Sequence, residues 1–584
     1  MEDISSMEVK FIWGNSRFDY ISSNAIGNSG GILCIWDPNT FLKDHHIISD
    51  NFVVIAGTWL PSNSKLLIIS IYAPQSRSDK RILWGYISSL ISRWQGDSLI
   101  LGDFNEVRSE TERRGSVFNV YGAADFNDFI AKAGLIDIQL EGYSFTWSHP
   151  SACKMSKLDR FLVTEGFFSV FPHCSAICLD RHLSDHRPIL LREVFVDYGA
   201  TPFRFYHSWI NISGFDLMIS QVWKSFSFDD SNDMIRFKKK LQALKVSIRD
   251  WIKLHKKNQT EKSKELSLKL SSIDQQLDQG IINDDLLLSR MNFMKQLHDL
   301  KSADSCDIRQ KAKIKWAIEG DENSKFFHGI VNRKRSNLAV KGVMVDGDWI
   351  DDPNHVKSEF CSHFASRFQR PGDSRSRINF PFPNQLNSEQ ATSLETPISI
   401  DEIKSAVWAC GENKSPGPDG FTFEFFRRFW DVIGTDFCLA VKWFFDHNMF
   451  AKGCNSSFIT LIPKINDPKF VNEYRPICLI GSLYKVVTKI LAIRLGSVID
   501  NLISEVQSAF LPKRQILDGP FVINEVLSWC KHKRRQAMIF KVDFAKAYDS
   551  VRWDFLDDVL LSFGFVPKMR ELDLAAYLLG KLLS

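Results

Sequence analysis

Apolar and polar positions alternate along the first 197 residues in short runs. Phe52–Ala56, Leu66–Tyr72 and Ser98–Gly102 are rich in β-branched and apolar residues, and turn signals such as Pro61-Ser62-Asn63 and Ala73-Pro74 bound them. These runs predict strands. Asp125–Ala133 carries helical spacing and stops at Gly134. Strands alternating with helices predict a sheet sandwich with helices on its outside.

The period then changes. Phe237, Leu241, Leu244, Ile248 and Trp251 recur at alternating spacings of four and three, and Leu266, Leu270, Ile273 and Leu277 repeat the pattern among lysines and glutamates. This predicts an amphipathic helical hairpin or short coiled coil, which is first of all a connector with a packed stripe. Pro371–Ser376, followed by Pro381 and Pro383, reads as a linker. A third region begins near Ile398 and runs to the end. The expected division is 1–197, 198–397 and 398–584.

Composition adds little. The chain has 584 residues, 44% hydrophobic and 24% charged, with a formal net charge of +4. That length suits about three domains, and the charge does not by itself require a nucleic-acid partner. The eleven cysteines are scattered without paired spacing, which suits a reducing compartment. His173, Cys174 and Cys178 lack further ligands at zinc spacing and read as buried structure. No apolar run reaches the ~20 residues a membrane span needs.

Candidate chemistry lies in five pieces of the first region: Ile71-Tyr72-Ala73-Pro74, Leu101-Gly102-Asp103-Phe104-Asn105, Phe145-Thr146-Trp147, Leu158-Asp159-Arg160 and Ser184-Asp185-His186-Arg187-Pro188. Asp103 and Asn105 come just after an apolar strand, where side chains can converge on a cleft. Asp185 and His186 set an acid beside an imidazole in a turn. In order and company these pieces resemble the endonuclease/exonuclease/phosphatase family, in its apurinic-endonuclease-like branch. The resemblance implies an α/β sandwich that cuts phosphodiesters with Mg²⁺, Mn²⁺ being the alternative ion. It gives Asp103 the attacking water and Asn105 and Tyr72 the phosphate. His186 would stabilise the developing charge, Asp159 would orient His186, and Asp185 would lie at the metal. The family also has an earlier strand ending in Asn and another ending in a metal-holding Glu. Here Met1-Glu2-Asp3-Ile4 looks like the stretch just after that Glu, and neither Glu2 nor Glu8 ends an apolar strand. The expectation is a domain lacking its first strands, inactive and poorly stable.

Between the regions, Arg309–Trp316 and Asn332–Arg335 are basic with aromatics interleaved. That pattern suits RNA contact, although a solvated helix face packing through Trp316 and Phe327 explains it more simply.

In the third region come Lys414-Ser415-Pro416-Gly417-Pro418-Asp419-Gly420, Leu461-Ile462-Pro463-Lys464, Tyr474-Arg475-Pro476-Ile477, a helical run Ser482–Leu495, and Gln507-Ser508-Ala509-Phe510 with Arg514 and Asp518. Met538–Val542 reads as an apolar strand with Asp543 at its tip, turning into a helix through Trp553 and Leu556. A carboxylate there is a good divalent-cation anchor or a helix N-cap. The series resembles the reverse transcriptases of plant-type non-LTR (LINE-like) retrotransposon polyproteins, from the fingers into the first palm motif. By that resemblance Asp543 binds catalytic Mg²⁺ and Tyr548 selects deoxynucleotides, while Lys464 and Arg475 face the incoming triphosphate. The likeness fades after Phe563-Gly564-Phe565, with no later Asp-Asp hairpin, and the tail through Leu583 reads as an unrelated or frameshifted end.

The resulting fold class is multidomain α+β: an N-terminally truncated α/β sandwich endonuclease, a helical connector and partial reverse transcriptase fingers and palm. The implied partners are target DNA, template RNA and deoxynucleoside triphosphates, in cytoplasm and nucleus, with no membrane. The implied function is nicking of DNA and then RNA-directed DNA synthesis, catalytically impaired in this chain. The competing class is a non-catalytic nucleic-acid-binding remnant. A host structural protein built on the helical connector has only ordinary heptads behind it.

Overall fold

A computed structural model of the chain describes residues 4–14, 17–25, 30–181, 183–194, 201–280, 283–312, 339–367, 375, 377–378, 382–412, 414–465, 467–504, 507, 511, 514–540 and 551–577. The chain forms two compact units. The first comprises Met1–Gly199, Asp304–Phe360 and Leu461–Arg475; the second comprises Ala200–Ala303, Cys361–Thr460 and Pro476–Ser584.

The first unit is built on a six-stranded sheet. In spatial order its strands are Phe41–Ser49, Phe52–Trp59, Ser64–Tyr72, Asp97–Asp103, Asp159–Thr164 and Leu135–Asp137. Ser64–Tyr72 and Asp97–Asp103 run parallel, because the helix Arg77–Arg93 returns the chain between them; Asp159–Thr164 runs antiparallel to Asp97–Asp103. Side chains alternate between two cores. Phe52, Val54 and Ala56 pack with Trp84, Phe104, Phe126 and Phe129, several of them from the helices Arg77–Arg93 and Val120–Lys132. Val53 and Ile55 point the other way, into a core with Leu140, Cys174, Ala176 and Cys178. The last four belong to a second sheet, ordered Ile189–Glu193, Cys174–Cys178, Leu140–Gly142. The layers are those the alternation predicts. Burial pushes the Cys174 thiol up to about 12 and the Cys178 thiol up to about 11, so both are protonated core residues.

Two later stretches complete this unit. Arg192 bridges Glu141 and Asp351, each at 2.9 Å. Lys469 is buried, and its Nζ donates to the carbonyls of Leu140 (2.9 Å) and Gly142 (2.7 Å).

The second unit is helical. Asp233–Asp278 carries the predicted stripe: Phe237, Leu241, Leu244 and Ile248 are buried. Asp284–Ala312 folds back on it, with Arg290 Nε 2.7 Å from Asp274 Oδ1. The stripe packs with Phe425, Phe437 and Phe444, from Phe423–Arg428 and Trp430–His447, in one large core. Ser482–Leu502 extends the predicted helix beyond Leu495 and adds Val486, Val487 and Ile490. Ser457–Pro463 and Tyr474–Ile480 form a two-stranded sheet, of which Leu461–Pro463 and Tyr474–Arg475 are counted with the first unit.

Two expectations need correction here. Met538, Ile539 and Phe540 are exposed and form no strand; among the described residues no neighbouring backbone offers them a ladder. The tail is not foreign to the fold either. Pro567–Tyr577 is a helix whose Met569 and Leu572 are buried in the core together with Phe565.

Among the described residues no helix is long and apolar enough to cross a membrane.

Candidate functional site

Three neighbouring strands of the first unit end in one row. Tyr72 is the register partner of Asp103, and Asp103 is the register partner of Asp159. Gly102 makes the approach possible: it has φ 122°, and a Cβ there would lie 2.1 Å from the Ile71 carbonyl oxygen.

Immediately after the strand, Asn105 adopts a left-handed conformation with φ 50°. Four hydrogen bonds hold it. Its backbone N–H donates to Asp103 Oδ1 (2.8 Å), its Nδ2 donates to the Ala73 carbonyl (2.7 Å), and its Oδ1 accepts from Gln75 Nε2 (2.9 Å). Its carbonyl accepts from Lys80 Nζ at 2.6 Å. Lys80 is buried and also pairs with Glu106 at 3.0 Å.

His186 closes the row from the second loop. Its Nδ1 lies 2.8 Å from Asp159 Oδ2. Phe145-Thr146-Trp147 ties this loop down. Thr146 is fully buried, and its Oγ1 accepts from the backbone N–H of Leu158 (2.9 Å) and of Asp159 (3.0 Å). The Thr146 carbonyl accepts from Arg187 N–H at 2.6 Å, and Trp147 Nε1 donates to Asp185 Oδ2 at 2.8 Å. On the opposite face of the same strand, Arg160 has no exposed surface. It bonds Glu112 and Asp137 and accounts for the charge buried behind the site.

The electrostatics arise from this packing. Burial, and next the charge of Asp159, push the Asp103 carboxyl up to about 6, against the Asn105 N–H, His186 and Lys80. Burial pulls His186 down, but the hydrogen bond and charge of Asp159, with Asp103 and Asp185 behind, lift it above the ordinary histidine value. The Trp147 hydrogen bond holds Asp185 below the usual carboxylate range. The row therefore pairs a carboxylate of raised proton affinity with an imidazole that binds its proton more tightly than usual, an arrangement suited to general acid–base chemistry.

The structure thus brings Tyr72, Asp103, Asn105, Asp159 and His186 together, with Asp185 on the adjoining loop. Glu8 lies elsewhere in role: its carboxylate accepts from Ser5 N (2.7 Å) and Ser5 Oγ (2.8 Å) as a helix capping box. Among the described residues no group of three or more His, Cys, Asp or Glu could hold a metal ion. The sequence assigned no role to Thr146, Trp147, Lys80, Glu106 or Arg160, although three of them sit inside the motif pieces. Lys80 and Glu106 had no signal beyond position.

In the third region the placement is sparser. Asp543 and Tyr548 lie outside the described residues, as do Glu2 and residues 313–338 of the basic segment. Lys464 is exposed, and its Nζ donates to the Asn472 carbonyl at 2.5 Å; Arg475 is exposed on Tyr474–Ile480. In the second unit, the Lys414–Gly420 loop is more than a turn. Asp419 accepts from the backbone N–H of Ser482 at the start of its helix, and Lys245 Nζ donates to the Pro418 carbonyl at 2.8 Å. Around them lies a cleft of about 270 Å³.

Comparison with known proteins gives the context. The family model of reverse transcriptase (RNA-dependent DNA polymerase) matches residues 462–579, past the point where the motif likeness fades. The transposon TX1 uncharacterized 149 kDa protein of Xenopus laevis is 23% identical over 520 residues, covering 86% of this chain and 39% of that protein. The Pol polyprotein from type-1 retrotransposable element R1 of Bradysia coprophila is 29% identical over 169 residues, covering 28% of this chain and 16% of the relative. The chain thus spans well under half the length of these curated relatives. Among solved structures, the endonuclease domain of TRAS1, a telomere-specific non-LTR retrotransposon, aligns with TM-score 0.25 and 16% identity over 31% of this chain and 81% of that one. An endonuclease/exonuclease/phosphatase from Bacteroides vulgatus aligns with TM-score 0.25 and 12% identity over 32% and 80%.

Proposed function

We propose, for a chain that carries a reverse transcriptase region and has LINE-like retrotransposon polyproteins as homologues, that residues 1–197 are the DNA-nicking module of such a polyprotein and that residues 398–584 begin its polymerase. One observation carries the nuclease reading: Tyr72, Asp103 and Asp159 in register, with His186 on Asp159 at 2.8 Å.

In this reading Asp103 takes a proton from the attacking water. Its elevated proton affinity suits that role near neutral pH. His186, oriented by Asp159, donates to a phosphate oxygen as charge builds there. Asn105 and Tyr72 hold the phosphate. A divalent ion such as Mg²⁺ would be held at Asp185, on the loop beside the row. Mg²⁺ commonly keeps several waters and takes only one or two carboxylates, and a cation would relieve the crowding of charge between Asp103 and Asp159. When bound, it supplies Lewis-acid stabilisation of the phosphate. Asp543 is the proposed metal carboxylate of the polymerase, Tyr548 its sugar gate, and Lys464 and Arg475 its triphosphate contacts. The partners are DNA, template RNA and deoxynucleoside triphosphates, met in cytoplasm and nucleus.

The test is conversion of supercoiled plasmid to nicked circles with Mg²⁺ or Mn²⁺. Nicking that disappears in Asp103→Ala and in His186→Ala supports the reading; nicking that survives both overturns it. Incorporation of deoxynucleotides on a primed RNA template, lost in Asp543→Ala, tests the polymerase half. Binding of nucleic acid with neither activity would leave the second reading, a non-catalytic binding protein.

A further inference from the structure

Next to the candidate site lies an exposed ring that the chemistry above does not use. Tyr121, in the first turn of the helix Val120–Lys132, is 70% exposed. The Arg77 guanidinium stands 5.4 Å from the centre of its ring. Arg77 is itself fixed, its Nε 2.6 Å from Asp125 Oδ2. A guanidinium whose charge is met by a carboxylate serves the ring as a prop more than it serves a phosphate as a clamp.

Both halves of the pair are anchored to the site. Arg77 comes two positions after Gln75, and Gln75 Nε2 donates to Asn105 Oδ1 at 2.9 Å. Tyr121 precedes Gly122, which is packed so closely on Glu106 that an added Cβ would lie 2.5 Å from Glu106 Oε2. Glu106 is the neighbour of Asn105 in sequence and the partner of Lys80, which holds the Asn105 carbonyl. The segments that carry the ring and its prop are therefore each tied to the surroundings of Asn105, one through Gln75 and the other through Glu106. A ring propped on one side and open on the other loses little freedom when a flat partner stacks on it.

We infer that Tyr121, backed by Arg77, is a stacking platform for a nucleobase of the DNA strand flanking the phosphate at Asn105. This rests on the nuclease reading of the Asp103 row for the identity of the strand. Stacking on an aromatic is sequence-tolerant and contributes about 1–3 kcal/mol per base, which corresponds to roughly 5- to 150-fold in affinity.

The full chain, in EDTA so that no strand is cut, is titrated with a twelve-nucleotide thymidine strand and with an abasic strand of equal charge. Tyr121→Ala should weaken binding of the thymidine strand at least about 5-fold and leave the abasic strand unchanged, while Tyr121→Phe should bind as the parent does. Because other parts of the chain can also hold DNA, a thymidine strand carrying 5-iododeoxyuridine is photo-crosslinked and the adduct mapped by mass spectrometry. An adduct on Tyr121, absent in Tyr121→Ala, supports the platform. Equal loss for both strands, no loss for either, or adducts only at other residues overturns it. The plasmid assay separates the two ideas. Asp103-dependent nicking without the adduct rejects the platform alone, and the adduct without nicking rejects the nuclease reading alone.

Discussion

Asp103 and Asp159 stand opposite one another as register partners on antiparallel strands, and the charge of Asp159 helps hold the Asp103 proton. A fold that buries one carboxylate beside another gives up stability to place them.

That sacrifice is measurable as a pH effect. The folded carboxyl of Asp103 titrates at about 6, against 3.8 ordinarily. Between these values the folded state holds more protons than the unfolded one, so stability falls as pH rises through this window, by about 3 kcal/mol in all. Asp103→Asn should therefore raise the melting temperature by several degrees at pH 7.5 and hardly at all at pH 4. Scanning calorimetry at both pH values checks this.

His186 should keep its proton beyond the ordinary histidine range, because Asp159 accepts from its Nδ1–H. Its contribution to stability is complete below the unfolded value of about 6.5 and is lost as pH rises through the higher folded value. Asp159→Asn should bring the His186 titration down, as read by the ring proton shifts in NMR. An unchanged titration would mean that the 2.8 Å contact does not set it.

Thr146 is predicted to be a structural keystone of the site. Its Oγ1 accepts from two backbone N–H groups, of Leu158 and Asp159. Thr146→Val keeps the volume and leaves both donors unmet in the interior, at a cost on the order of 2–4 kcal/mol. Thr146→Ser should retain most of the stability. Denaturant unfolding of the two variants makes the comparison.

The helix Pro567–Tyr577 should behave as part of the second unit. Met569 has no exposed surface. Met569→Ala should cost about 2–5 kcal/mol by loss of burial and creation of a cavity. A melting temperature equal to that of the parent would show that this helix does not pack as described.

How much of this is legible in the sequence differs between the two parts. The first unit is readable because alternation by two assigns each residue of Phe52–Ala56 to a face, and the two cores receive them accordingly. The convergence of Tyr72, Asp103, Asp159 and His186 is readable only through the order of the motif pieces, since spacing along the chain says nothing about which strand ends are neighbours. Lys80 is invisible: a lysine in an amphipathic helix looks solvent-facing until Glu106 and the Asn105 carbonyl are placed around it. The described part of the predicted strand Met538–Val542 departs from expectation for the opposite reason. Local apolar character is not a strand without a partner, and the described part, Met538–Phe540, has none. The tail misleads because its buried positions, Met569 and Leu572, find their partners far away in sequence.

Lys469 Nζ reaches back 329 residues to the Leu140 carbonyl and 327 to that of Gly142. A ribosome delivers the chain in order, so the nascent sandwich must wait for most of the protein before this lysine can arrive. Loop closure over that distance is slow to find. Until then the carbonyls of Leu140 and Gly142 lack this donor, and the unit is left without its last buried tie while the intervening chain emerges.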